Sequence, residues 1–376
     1  MKLYIIGNGF DKSVGLDTSY KSLHNFYNQN KENYRIRQHK ILSDKGNVVS
    51  LNDIDIVYKC IDYLDDECFW SNFEDSLGKV DAFSINLYFG KRNKDIKRLK
   101  KTINNAKRVM TNVFNDWVHS INLNNADKRK YKFASDSIFI NFNYTRTLEE
   151  IYGIEEERVF HIHGDVSKKD SLIFGHNFHP QYPVASFEKF GGRFRGLVAI
   201  ESLLYETDKH IARNVCLLYL NFITNNIDPN QITDIYVIGK SVVGVDEEYF
   251  KFLLKYTGFE IKEEKFIDTD AIDQIKLFSD YSNYVARVYG ESVPESKLSK
   301  NIKLIGRSCK YWMVNEDLRH LFPFNIYQKL SKKLFLNKPK WHINVYSKKE
   351  KVSVENFLKK LGLEDDLFIE IILNEV

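Results

Sequence analysis

The sequence predicts an α/β protein built on a mostly parallel sheet with helices on its faces and two helical insertions. Three observations carry this. The chain opens with an apolar run, "KLYII", that breaks at once into "GNGFD". Short runs rich in Ile, Val and Phe recur from about residue 135 onward, each ending in a small or polar turn. Helical periodicity fills the stretches between them. Buried parallel strands read as continuous apolar runs of this kind, and their alternation with helices implies a layered sheet.

Along the chain, Leu3 to Ile6 form the first strand. Thr18 and Ser19 can cap a helix with Tyr20, Leu23, Phe26 and Tyr27 on one face. The segment "LNDIDIVYKCIDYL" has helical spacing at Ile54, Val57, Tyr58, Ile61 and Leu64. A long helix follows over 95–122, with Ile96, Leu99, Ile103, Ala106, Met110, Val113 and Trp117 on one stripe. The basic residues between Lys91 and Arg108 fall mostly off that stripe, either as a solvated face or as a surface for a phosphate backbone. The later strands are expected in "DSIFINFNYT", "RVFHIHGDV", "SLIFGHN", "DIYVIGKSV", "WHINVYSK" and "DLFIEIIL", with a helix over "VENFLKKLGL". One core domain results, its strands within about 1–15, 135–250 and 338–376. The insertions are expected at about 20–130 and 255–335.

Composition limits the function. The chain of 376 residues is 43% hydrophobic, and 55 basic against 51 acidic side chains leave a net charge of +4. So balanced a charge argues against nucleic acid or a membrane as the main partner. Four cysteines, Cys60, Cys68, Cys216 and Cys309, lack metal or disulfide spacing and fit a reducing cytoplasm. No signal-peptide layout and no apolar stretch of membrane-spanning length appears.

In an open parallel sheet, ligands bind beyond the carboxyl ends of the strands. The unusual residues collect there: Gly7-Asn8-Gly9-Phe10-Asp11, Asn143-Tyr144-Thr145, His161-Ile162-His163-Gly164, Gly175-His176-Asn177 and Gly239-Lys240-Ser241. The first loop lacks the third glycine of the dinucleotide fingerprint. A Walker reading of "GKS" fails, because Asp234 stands where its first glycine belongs. His161 and His163 alternate along a strand, so they face opposite sides. That geometry argues against a metal, and it assigns one of the pair a structural role; His163, beside the turning Gly164, is expected to face the ligand.

Taken in order, "IIGNGFD", "WSNFEDSLG", "FNYTRTLEEIYG", "HIHGDV", "IFGHN" and "IGKSVVGVDEEYF" resemble the abortive-infection AbiH family of bacterial antiphage proteins. The likeness runs from Lys2 to about Phe250, with a further match in "WHINVYSKKEKVSVENFLKKL". More distantly, the set resembles the Rossmann-like, sirtuin-like dinucleotide fold. That resemblance implies NAD as substrate or ligand. Gly7, Asn8 and Gly9 would then offer backbone N–H groups to the pyrophosphate, with Phe10 in the same loop. Asp11 would cap the following helix or bond a ribose hydroxyl. Asn143, Tyr144 and Gly164 would line the ribose, Gly239 and Ser241 the adenosine side, and Lys240 a phosphate. His163 would be general base and Asn143 the second catalytic residue.

The chain also departs from those patterns. Lys240 stands where the family often has His, and Thr145 stands where sirtuins carry an Asp that handles nicotinamide. The sirtuin zinc module is missing between Gly164 and Gly175. These changes argue against peptide deacylation. Three functions stay open: an antiphage effector hydrolysing NAD, a nucleotide-sensing module acting through a partner, and a nuclease using the basic helix. The first two imply a phage-derived trigger and are compatible with a homo-oligomer.

Overall fold

The computed structural model describes residues 1–34, 38–42, 48–52, 74, 93–127, 130–167, 172–175, 209, 231–262 and 338–374. In chain order the elements are β1 (Lys2–Ile6), α1 (Asn8–Ser13), α2 (Tyr20–Asn30), β2 (Gln38–Leu42), β3 (Val48–Asn52) and α3 (Asn93–Ser120). Then come β4 (Ile138–Asn141), α4 (Thr147–Glu150), β5 (Val159–His161), β6 (Asp234–Ile238) and α5 (Glu247–Tyr256). The chain closes with β7 (Lys340–Val345), α6 (Lys348–Leu361) and β8 (Ile369–Leu373). Two compact units result: Met1–Leu16, Leu123–Ser171 and His210–Val376 form one, Asp17–Asn122 and Leu172–Lys209 the other.

The first unit holds a six-stranded sheet in the order β5-β4-β1-β6-β7-β8, with every pair parallel. Counted within the sheet, that is third, second, first, fourth, fifth, sixth. It is the doubly wound order of mononucleotide-binding halves, and it reverses between β1 and β6. The predicted fold class is therefore the observed one.

The two faces of the sheet differ in chemistry. Leu3, Ile5, Ile140, Val237 and Ile343 point to one side, where Leu253 of α5 and Phe357 of α6 complete a mixed aliphatic and aromatic core. Every second residue points the other way, and there the register stacks rings. Tyr4 lies 5.3 Å from Phe139 and 5.1 Å from Tyr236, and Tyr236 lies 4.5 Å from His342. Phe133 meets Tyr4 edge-on at 5.0 Å, and Phe10 of α1 joins through Tyr131 and Tyr152. Cross-strand aromatic pairs of this kind stabilise a sheet beyond their buried area. α6 begins at Ser347, whose Oγ accepts from Glu350 N, while the Glu350 carboxylate accepts from Tyr346 N. Ser347 is thus the N-cap of α6, and Glu350 reaches back to the residue before it.

The second unit is built on α2 and α3. Ser19 caps α2 as expected, and Leu23 and Tyr27 are buried along with Ala106, Met110, Val113 and Trp117 of the α3 stripe. Trp117 Nε1 donates to Ser22 Oγ at 3.2 Å. The segment 20–130 also contains β2 and β3, an antiparallel pair. Leu51 and Asn52, the start of the helix expected over 51–64, end β3; the rest of that helix lies outside the described residues. Residues 172–175 of "SLIFGHN" form no strand, because the apolar run is used for packing: Phe174 stacks on Phe114 of α3 at 4.7 Å. Most of the second expected insertion, 263–335, is likewise outside the described residues. Among the described residues, no helix is long and apolar enough to cross a membrane.

Trp341 of β7 is fully buried and its Nε1 donates to Thr257 Oγ1 at 3.2 Å. Trp341→Ala removes both packing and hydrogen bond, and is expected to destabilise the protein by about 3–5 kcal/mol, read as a lowered urea midpoint.

Candidate functional site

The carboxyl edge of the sheet is organised around two loops that touch through their backbones. Gly7 N donates to Ile238 O at 3.0 Å, and Gly9 N donates to Gly239 O at 2.7 Å. The loop after β1 and the loop after β6 thus meet where the strand order reverses. Their glycines answer to this contact. Gly239 has φ +64°, and a Cβ there would stand 2.0 Å from Phe10 N and 2.4 Å from Gly9 C. A Cβ on Gly9 would stand 2.7 Å from Gly239 Cα. A side chain on either would push the loops apart.

The same contact uses the amides that a phosphate would need. The Gly7 and Gly9 N–H groups are thus bound inside the protein. Asn8 and Lys240 are half-buried at this edge, and Ser241 is exposed, its Oγ donating to Val243 O at 3.1 Å.

Asn143 ties the next strand to this junction. It is buried; its Nδ2 donates to Gly7 O at 3.1 Å and its own N–H bonds Asn141 Oδ1 at 3.0 Å. Its carbonyl faces His161 Nδ1 at 3.2 Å, while His161 Nε2 meets Glu149 Oε1 at 2.7 Å. Each ring nitrogen thus lies within hydrogen-bond distance of an oxygen. His161 is bound into the scaffold of β5 and α4.

His163 lies in different surroundings. Its ring is buried edge-on to Phe142 at 5.4 Å and to Tyr249 at 5.8 Å, with Tyr144 stacked at 6.0 Å. Asp246 Oδ1 is 3.7 Å from His163 Nε2, and the other Asp246 oxygen pairs with Lys240 Nζ. The Lys240 ammonium also sits 4.6 Å over the Phe142 ring, within cation–π range. Asp246 thus joins two residues that the sequence had singled out, and it was not itself foreseen. The signal available was "GVDEEYF", an acid just ahead of a helix after the glycine loop. After Gly164 the turn closes on Asp165. Burial opposes its charge, but two hydrogen bonds from Ser167, with His161 and Arg146 nearby, hold its carboxyl below the usual range.

Asp11, in the helix that follows the first loop, is strongly perturbed. Burial pushes its carboxyl up to about 6, and the Thr145, Thr147 and Asn143 side chains draw it only part of the way back. Thr145, the residue that departs from the sirtuin pattern, donates to Asp11 Oδ2. In the second unit, Glu74 of the "WSNFED" segment is buried and pairs with Lys209 at 2.9 Å; Trp70 lies outside the described residues, as do His176 and Asn177. Among the described residues, no group of three or more His, Cys, Asp or Glu side chains could hold a metal ion.

A family model described as bacteriophage abortive infection AbiH matches residues 3–266. No curated protein and no solved structure matches the chain.

Two outcomes follow from the edge itself. Gly239→Ala, forced against Phe10 and Gly9 backbone, is expected to destabilise by more than ~3 kcal/mol through strain and overlap. Gly244→Ala, with φ +95° but nothing within 4 Å, should lose only the conformational term of about 1–2 kcal/mol; thermal melts of both check the difference. Asp11 binds its proton more tightly folded than unfolded, so its contribution to stability falls as pH rises from about 4 to about 6. Above that window the ionised group disfavours folding by about 3 kcal/mol. Asp11→Asn should therefore melt higher at pH 7 and lose that slope in stability against pH.

Proposed function

The chain belongs to the bacteriophage abortive infection AbiH family, and from that premise we propose that it is an antiphage effector that binds a dinucleotide at the switch-point edge and hydrolyses NAD there. One observation carries the reading: the Gly9–Gly239 hydrogen bond locks two glycine loops together at the crevice where doubly wound sheets take nucleotides. His163 is the general base, and Asp246, close to its Nε2, stabilises the imidazolium formed when the imidazole accepts a proton. One amide N–H of Asn143 goes to Gly7 O, which fixes the plane of the amide, and its side-chain oxygen can orient the attacking water. Lys240 supplies positive charge for a phosphate.

In the reaction the water oxygen bonds the anomeric ribose carbon as the glycosidic bond breaks. Nicotinamide leaves with the bonding pair, and the proton released by water passes to His163 and then to solvent.

A sensing module that binds without cleaving is the second reading. It is favoured by the internal satisfaction of the Gly7, Gly9 and Asn143 donors, which makes these groups scaffold first. NAD binding by calorimetry and NAD loss over time, each with and without phage lysate, separate the two for wild type, His163→Ala and Asn143→Ala. Wild type with lysate is expected to consume NAD. Each variant should still bind it while turning over about 100-fold slower or worse. Binding without consumption by wild type would replace the enzyme with the sensor, and absence of both would end the nucleotide reading.

A further inference from the structure

One oxygen of the Asp11 carboxylate is held by the protein and the other is left unsatisfied among the described residues. The cap of α1 is Gly7, and no side chain caps this helix, so Asp11 has no capping role. Its carboxylate turns to the segment after β4. Thr145 donates to Oδ2, and Thr147 in turn donates to Thr145 at 3.1 Å. These bonds fix the plane of the carboxylate and leave Oδ1. That oxygen is buried and has no hydrogen-bond partner among the described residues. Asn143 gives one of its two amide N–H groups to Gly7 O, and the amide lies near enough to the carboxylate to lower its proton affinity without closing a bond on Oδ1; no ion pair reaches Asp11 among the described residues.

A buried carboxylate oxygen without a donor is costly to keep. The raised pKa of about 6 is the same cost seen as proton affinity. What would satisfy Oδ1 must carry an O–H or N–H, because a carboxylate oxygen only accepts. A phosphate oxygen, itself an anionic acceptor, is repelled from this point. The part of a nucleotide next to its phosphate that carries donors is the sugar.

Resting on the nucleotide-binding reading above, we infer that Asp11 is the sugar-recognising carboxylate of the switch-point crevice, its Oδ1 accepting a ribose hydroxyl of the bound dinucleotide. The site therefore selects ribose over deoxyribose at that position, and Thr145 with Thr147 holds Asp11 in aim. Ligand affinity rises with pH as the carboxyl ionises around 6.

The experiment uses the full chain and three probes: NAD, NAD lacking the hydroxyls of its adenosine ribose, and NAD lacking those of its nicotinamide ribose. Binding is measured by calorimetry in buffers above and below pH 6 for wild type and Asp11→Asn, which keeps an acceptor for Thr145; thermal melts establish that the variant folds. Wild type is expected to bind one of the two analogues about 10- to 100-fold more weakly than NAD, the range for losing a hydrogen bond to a charged group. Asp11→Asn should bind NAD and that analogue alike, and its affinity should not vary with pH near 6. A folded Asp11→Asn that keeps the preference overturns the assignment. So does a wild type that binds all three probes equally; Oδ1 then holds no more than a structural water, and the nucleotide site stands without this role. A wild type that binds none of the probes instead removes the nucleotide reading, and the assignment falls with it.

Discussion

The contact on which the rest of this structure depends is a single backbone meeting, Gly9 N to Gly239 O at 2.7 Å. Two strand ends are brought so close there that neither loop has room for a Cβ at the point of contact. β1 sits at the centre of the sheet and β6 beside it, so the meeting fixes the edge against which every other candidate residue is placed. Asn143 reaches the junction through Gly7 O, and Lys240 leaves it on the side of Asp246. Backbone-to-backbone packing at this distance is rigid, because there is no side chain to change rotamer.

That rigidity divides the polar groups in two. On one side Thr147 bonds Thr145 and Thr145 bonds Asp11, while His161 pairs with Glu149. On the other, His163, Asp246 and Lys240 form a charged cluster set among rings. Low local polarity strengthens both sets of interactions and also raises the penalty for any group left unsatisfied. The edge thus stores its electrostatic tension at Asp11, where burial outweighs the hydrogen bonds offered.

Much of the fold could be read from residue patterns because parallel strands announce themselves. "IFIN", "DIYVI" and "WHINV" are apolar runs too short to be helices, and each became a strand. The α3 stripe at Ala106, Met110, Val113 and Trp117 was legible for the same reason, a fixed period with one wet face. The site was legible only as a set of positions. The glycines of "GNG" and "GKS" marked a close approach, but sequence cannot say to what, and here each loop is the other's neighbour. Asp246 was hidden because its meaning lies in two partners, His163 and Lys240, that are not adjacent to it in the chain. "SLIFGHN" misled because an apolar run has the same texture whether it pairs in a sheet or packs on a helix, as Phe174 does on Phe114.

The strand order has a consequence for how the protein comes into being. Ile6 is registered beside Ile238, so the innermost strand waits for a neighbour more than two hundred residues behind it. At ribosomal speeds that delay is on the order of ten to fifty seconds, and pairings so distant in the chain close slowly. During it, the apolar segment "LYII" has no completed sheet to enter. A cell making this protein therefore carries, for part of every synthesis, a nascent chain whose two glycine loops have not yet met, and the edge they form is among the last features to exist.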